Sequence, residues 1–290
     1  MNIEVRPVSE AIGAEISGVD LSRDISDDEF HEILTAWHDH LVLLFRGQTL
    51  SDGRLVAFSQ RFGTLDLAPP GEAYNTGTNS VPGMPEITVL SNVVENGVPL
   101  GALGNAECVW HIDMTYAEEP PSACLLYGIE VPREGGKTGV ANMYLAYDSL
   151  SDELKAKIES LEAIHDNTYT SAGTLRKGFK AVDDVRKAPG ARHPLVRTHP
   201  DTGRRSLFLG RRQNQYILGL DVAESEAILD ELWEHATRDE FAWHHRWDVG
   251  DLLIWDNRCT MHRRDSFPSD ARRILHRTQV QGSRPFLKAA

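Results

Sequence analysis

The sequence predicts an α+β protein that is mainly β, an antiparallel barrel or sandwich with helices on its flanks. Three observations predict it. Short segments rich in β-branched and aromatic residues recur along the chain. Only four stretches carry helical spacing with capping signals. Strands and helices do not alternate in the βαβ manner of a parallel sheet, and no G-x-G-x-x-G or Walker-type loop is present.

In chain order, Ser26-Asp27-Asp28-Glu29 forms a capping box, and Phe30, Ile33, Leu34 and Trp37 follow at helical spacing. The unbroken apolar run 41–45 then reads as a buried strand. A second helix is predicted over 51–61, stopped by Gly63, and a third over 151–161, with Leu154, Ile158 and Leu161 on one face. A fourth covers 223–236. Strands are predicted at 86–90, 109–113, 123–129, 139–143, 206–209, 252–255 and 274–280. No linker, repeat or low-complexity tract divides the chain, so 1–290 reads as one domain.

With 290 residues, 41% hydrophobic and 25% charged, the chain has ample material for a packed core. Its formal charge of −13, from 30 Lys+Arg against 43 Asp+Glu, repels phosphate backbones and anionic lipid surfaces. Neither nucleic acid nor membrane is therefore an expected partner. The apolar runs fall far short of the ~20 residues that span a bilayer. The opening MNIEVRPVSE lacks the basic start and apolar stretch of a secretory signal, so a cytoplasmic location is expected. Cys108, Cys124 and Cys259 are widely spaced and read as reduced, buried thiols.

The sharpest chemical feature is Trp110-His111-Ile112-Asp113. On a strand, side chains two apart share a face, so His111 and Asp113 form half of a metal site. The stretch 250–262 offers His262, just beyond a buried strand, as a third ligand. Two histidines and one carboxylate are the facial triad of non-haem iron oxygenases, which leaves coordination positions open. They also suit zinc with an open water position, so a zinc hydrolase on the same barrel is a rival reading. The remaining histidines lack comparable spacing and read as structural or surface residues.

Arg273 and Arg277 follow His262 on one predicted strand face. At ~3.3 Å per residue their Cα atoms lie roughly 13 Å apart, suited to gripping two different anions on either side of a metal. Guanidinium forks hold carboxylates bidentately, so one arginine suits a dicarboxylate cosubstrate and the other an acidic substrate.

The chain resembles the taurine dioxygenase and 2,4-dichlorophenoxyacetate dioxygenase family of Fe(II)/2-oxoglutarate-dependent enzymes. The resemblance runs through Ile12-Gly13-Ala14-Glu15-Ile16, Leu44-Phe45-Arg46-Gly47-Gln48, Arg61-Phe62-Gly63 and Trp110-His111-Ile112-Asp113. It continues through Gly135-Gly136-Lys137-Thr138, Val196-Arg197-Thr198-His199-Pro200, Trp255-Asp256-Asn257-Arg258 and the segment from Arg273 to Arg277. It implies a double-stranded β-helix, or jelly-roll barrel. It implies that His111, Asp113 and His262 ligate Fe(II), and that Thr138 and Arg273 anchor the distal carboxylate of 2-oxoglutarate. Arg277 is implied to bind the acidic group of the primary substrate. The reaction implied consumes O2, releases succinate and CO2 and hydroxylates a substrate C–H, with ether cleavage following when that carbon bears an ether oxygen. By analogy with the family, a homo-oligomer is expected.

Taurine dioxygenases carry a histidine shortly after the Arg-Phe-Gly segment, where this chain has about Ala68. That departure favours a carboxylate such as an aryloxyalkanoate, with a taurine-type alkylsulfonate as the alternative. The segments 207–212, 219–224 and 244–252 resemble the aryloxyalkanoate enzymes. The polar hexapeptide 211–216 matches neither subgroup and reads as pocket lining or exposed loop. Thr115 is a further candidate for a substrate hydrogen bond. Residues 66–108, rich in Gly, Pro and Asn, read as a lid over the metal. A non-catalytic cupin-like binding protein is a second rival, opposed by the complete set of metal and cosubstrate residues. Against the zinc hydrolase stands the pairing of Arg273 with Thr138, a dicarboxylate anchor for which such an enzyme has no use.

Overall fold

Val42–Phe45 has no exposed residue, and its two faces show why. Leu43 and Phe45 pack with Leu125 and Ile254 against Ile33, Ala36 and Trp37 of the helix Asp27–His40. Leu44 instead packs with Leu126, Leu253 and Trp255 against Val140 of the facing sheet. A strand covered on both faces needs apolar residues at every position, which the unbroken run supplies. The computed structural model describes residues 3–68 and 79–288.

Two sheets build the barrel. Among the described residues the larger runs in the order Glu4–Pro7, Ala14–Ser17, Val42–Phe45, Leu252–Asp256, Ala123–Glu130, Ile274–Val280, Met84–Ser91, Ser80–Val81, with Ala102–Leu103 beside Met84–Ser91. The smaller runs in the order Ala242–His245, Thr138–Asn142, Thr260–Arg264, Cys108–His111. Most neighbours are antiparallel and far apart in sequence, the pattern of a double-stranded β-helix.

The helices lie outside the sheets. Asp27–His40 starts at the predicted capping box: the Glu29 N–H donates to Ser26 Oγ at 3.2 Å and the Ser26 N–H to Glu29 Oε2 at 2.7 Å. Asp52–Ser59 continues through the 3-10 turn Gln60–Phe62 to Gly63, whose φ of 145° is open to glycine alone at little cost. Asp152–Ile158 follows, and Val222–Ala236 packs Ile228, Leu229 and Leu232 with Leu207, Phe208 and Met261. No helix among the described residues is long and apolar enough to cross a membrane.

Several boundaries differ from the sequence expectation, each for a physical reason. The strand predicted at 139–143 yields at Met143 to an unpredicted helix, Met143–Asp148, because the Asn142 side chain caps it by accepting from the Tyr144 and Leu145 N–H groups. The strand predicted at 109–113 stops at His111. His262 lies beyond the buried strand Leu252–Asp256, as expected, but within a further, unpredicted strand, Thr260–Arg264. Of the stretch read as a lid, Met84–Ser91 is a sheet strand paired with Ile274–Val280, and 69–78 lie outside the described residues.

Candidate active site

Cys108–His111 and Thr260–Arg264 are neighbours in the smaller sheet, and their register places His111 opposite His262, with ring centroids 4.1 Å apart. Asp113 joins them by a different route from the predicted strand alternation. The chain leaves the strand after His111 and turns through Met114, whose φ of 52° is a strained, left-handed conformation for a residue with a side chain. Asp113 Oδ1 then lies 3.5 Å from His111 Nε2, and Oδ2 lies 3.8 Å from His262 Nε2. All three side chains are buried, with potential ligand atoms within 4.8 Å of one another.

Their protonation suits a cation. His111 Nδ1 sits 2.7 Å from the Val109 carbonyl oxygen, so that nitrogen donates there and Nε2 is the one turned toward the shared space. Burial and the neighbouring His111 push the His262 imidazole well below its ordinary value, which keeps it neutral. Burial alone would raise the Asp113 carboxyl, but Arg277, His262 and His111 together hold it well below the usual carboxylate range. Arg277 Nη1 donates to Asp113 Oδ2 at 3.1 Å and Gln279 Nε2 donates to the same oxygen at 3.3 Å. The Cys124 thiol points at it from 3.4 Å and is kept protonated by burial and by Asp113 itself.

A second buried group of ligand-type residues, His199, Asp256 and Cys259, has no such opening. His199 Nδ1 accepts from the Asp201 and Thr202 N–H groups, so Nε2 bears the proton and donates to Asp256 Oδ2 at 2.9 Å. The Arg258 guanidinium takes both oxygens of Asp256, at 2.9 and 2.8 Å. Every donor atom of that carboxylate–imidazole pair is already engaged, whereas the first group lines a cavity.

The cavity lies between the sheets. The smaller sheet contributes His111, His262, Thr138 and Arg264; the larger contributes Leu90, Leu126, Trp255 and Arg277, with Arg273 just before its strand. Thr138 Oγ1 accepts from Trp247 Nε1 at 3.0 Å, leaving its own O–H to donate elsewhere. Arg273 is only 2% exposed, and its guanidinium has no carboxylate partner among the described residues. Burial, with Arg264 nearby, pushes its pKa down to about 9, a direction that an incoming carboxylate reverses. The structure thus brings together His111, Asp113, His262, Thr138, Arg273 and Arg277.

It does not bring Thr115. Met114 and Tyr116 line the cavity, while the Thr115 hydroxyl is packed under Gly210, where an added Cβ would lie 2.7 Å from it. The hexapeptide 211–216 divides: Arg211 lines the cavity, whereas Arg212 pairs outside it with Glu226 and Asp230. Sequence reasoning missed Tyr116 and Arg176. Arg176 lies over the Tyr116 ring at 4.6 Å and Arg211 at 5.7 Å, and both arginines donate to the Tyr169 carbonyl. The one sequence signal was the aromatic residue three positions past Asp113; Arg176 sits in irregular chain with no periodicity to mark it.

The model of the taurine catabolism dioxygenase TauD, TfdA family matches residues 4–279. The alpha-ketoglutarate-dependent (that is, 2-oxoglutarate-dependent) 2,4-dichlorophenoxyacetate dioxygenase of Cupriavidus pinatubonensis is 34% identical over 288 residues, 96% of this chain and 97% of that protein. An alpha-ketoglutarate-dependent sulfate ester dioxygenase of Pseudomonas putida is 33% identical over 294 residues, 98% of this chain and 91% of its own. The crystal structure of a taurine dioxygenase from Burkholderia xenovorans superimposes with a TM-score of 0.79 at 36% identity, covering 98% of this chain and 90% of that one. These are oxidoreductases on the same jelly roll, which sets aside the zinc hydrolase and binding-protein alternatives. Matched in sequence and in fold over nearly its whole length, the chain belongs to the TauD, TfdA family and is a 2-oxoglutarate-dependent dioxygenase.

Proposed function

We propose that the protein hydroxylates a C–H of a small organic acid, an aryloxyalkanoate or similar carboxylate, at an Fe(II) held by His111, Asp113 and His262. One observation carries this reading: two imidazoles and one carboxylate converge on a cavity that also holds Arg273, a buried guanidinium with no carboxylate partner among the described residues. Two nitrogens and one carboxylate suit iron and leave positions free for other ligands. When bound, the metal supplies O2 activation coupled to conversion of 2-oxoglutarate to succinate and CO2.

The protein's residues bind, orient and exclude water. Arg273 offers a fork to the distal carboxylate of 2-oxoglutarate, and the Thr138 hydroxyl donates to the same group. Arg277 holds the ionised Asp113 in place and, lining the cavity beside it, places its positive charge near the substrate acid. Leu90, Leu126 and Trp255 give the cavity an apolar wall that keeps a reactive C–H away from bulk water. Relatives named for a carboxylate, a sulfate ester and taurine stand at nearly equal identity, and an organic anion is what those substrates share. The residue at about Ala68, where taurine enzymes carry histidine, favours the carboxylate.

The test is anaerobic. Fe(II) and then 2-oxoglutarate are added to the metal-free protein, and the weak visible charge-transfer band of a chelated keto acid is sought. Its appearance, weakened in Arg273→Ala, supports the proposal, and a screen of acids by succinate release then ranks substrates. No band, with tight binding of Zn(II) at the same residues, overturns the iron assignment.

A further inference from the structure

Asn257 is fully buried in the turn between Leu252–Asp256 and Thr260–Arg264, the strand that carries His262. Its side chain reaches across to the metal-ligand segment. Asn257 Oδ1 accepts from the Asp113 N–H at 3.0 Å, and Nδ2 donates to the Asp113 carbonyl at 3.1 Å and to the Pro121 carbonyl at 2.9 Å. The Asn257 backbone N–H donates to the Ser122 carbonyl at 3.0 Å. One residue therefore fastens both ends of the connection from Asp113 to the strand Ala123–Glu130.

The amide replaces a missing strand. Beyond His111 the ladder to Thr260–Arg264 has ended, and the backbone groups of Asp113 would otherwise be buried without partners. A side-chain amide carries an acceptor and two donors, and all three are used here. Aspartate has the same shape but no N–H to give, and it would set a negative oxygen against two carbonyls. The turn that holds Asn257 is itself fixed: the Arg258 N–H donates to Asp256 Oδ1 at 2.9 Å, and Thr260 Oγ1 donates to the Asp256 carbonyl at 2.7 Å. The same rigid turn thus sets where the strand of His262 begins and where the backbone of Asp113 lies. Met114, at its strained φ, is the next residue along, so the chain turns away at once and Asn257 meets both backbone groups of Asp113 at that turn.

We propose that Asn257 is a positioning residue of the metal centre, setting the Asp113 carboxylate against His111 and His262 through the Asp113 backbone. This rests on the metal assignment above, and the controls separate the two. Mn(II) is titrated into metal-free protein and free Mn(II) is followed by electron paramagnetic resonance, for the wild type and for Asn257→Asp, Asn257→Ala, His111→Ala and Asn142→Ala. Loss of partners that orient a metal ligand costs 10–100-fold in affinity, and that weakening is expected for both Asn257 variants. Asn142→Ala also removes a buried amide, one that caps a helix and donates to the Ala11 carbonyl, but it lies off the metal path and is expected to bind Mn(II) like the wild type. A folded Asn257 variant with wild-type affinity overturns the proposal, as does an equal loss in Asn142→Ala, which would reduce Asn257 to general stability. Undiminished binding by His111→Ala overturns the metal assignment, and this inference with it. If the variants do not fold, hydrogen exchange in the wild type decides: the Asp113 amide, outside any strand, is expected to exchange slowly. Exchange as fast as an exposed loop overturns the assignment of Asn257.

Discussion

Arg277 Nη1 donates to Asp113 Oδ2 at 3.1 Å, both groups buried, so the cation assigned to the substrate is also the counter-ion of a metal ligand. Removing one partner of a buried ion pair costs about 3–5 kcal/mol because the other charge is left uncompensated. Arg277→Ala is therefore expected to destabilise the metal-free protein by about that amount. Mn(II) should recover part of the loss, since a divalent ion places positive charge beside the same carboxylate. Thermal unfolding with and without Mn(II) checks this, and equal losses in the two states count against the counter-ion role.

In the roles proposed for them, Arg273 and Thr138 differ in how much each contributes to holding 2-oxoglutarate. In the proposed site Arg273 offers a buried charge and a two-pronged fork to the cosubstrate carboxylate, whereas Thr138 offers a single uncharged donor, its oxygen already accepting from Trp247. Hydrogen bonds to charged groups contribute about 1.5–3 kcal/mol, and a bidentate fork makes two. Arg273→Ala is expected to raise the KM for 2-oxoglutarate by about 100-fold or more, and Thr138→Val by roughly tenfold. Succinate release against 2-oxoglutarate concentration measures both, and a Thr138→Val effect larger than that of Arg273→Ala would reverse the assignment.

The stack of Arg176 on Tyr116 forms a different wall of the same cavity. Replacing the guanidinium there should weaken the primary substrate without touching the cosubstrate. For Arg176→Gln the expected result is a KM for the acid raised several-fold and a KM for 2-oxoglutarate within about twofold of wild type, since one cation–π contact and one partly exposed charge carry about 0.5–2 kcal/mol. A matching rise in both constants would place Arg176 in general cavity shape rather than substrate recognition.

The sequence signals worked where a residue's partner was close or its pattern long. Helix Asp27–His40 was legible because Ser26 and Glu29 cap each other within one turn, and Ile274–Val280 because a seven-residue run holding Ile, Thr and Val is long enough to mark a strand, which pairs with two neighbours. His111, Asp113 and His262 were legible as residue types in order, yet the reason given for Asp113 was incomplete. Strand alternation ends at His111, and the group that then holds the Asp113 backbone, Asn257, is 144 residues away in the chain. Glu4–Pro7 is exposed throughout and shows no apolar alternation, and Glu162–Ile164 and Arg192–Pro194 are three residues each, too short for a period, whereas the strand predicted at 206–209 is found at Arg205–Leu207. Thr260–Arg264 escaped notice because the side chains it turns toward the cavity are polar, as the site demands.

Asp256 joins this site to the stability of the fold. Burial raises its carboxyl, but Arg258 and His199 outweigh that and hold it below the ordinary carboxylate value. A carboxyl depressed in the folded state contributes stability above its unfolded pKa of about 4, and that stability is lost as pH falls below it. Asp256→Asn leaves Arg258 buried with Asp201 as its one carboxylate partner among the described residues, so a loss of about 3–5 kcal/mol is expected at pH 7. The gap between wild type and variant should then narrow as pH drops below about 4, because the carboxyl of the unfolded wild-type chain takes up its proton there while the folded one, held lower, stays ionised. Urea unfolding of the two metal-free proteins at several pH values between 3 and 7 follows that gap. A difference that stays constant over the whole range would show that Asp256 acts through packing rather than through its charge.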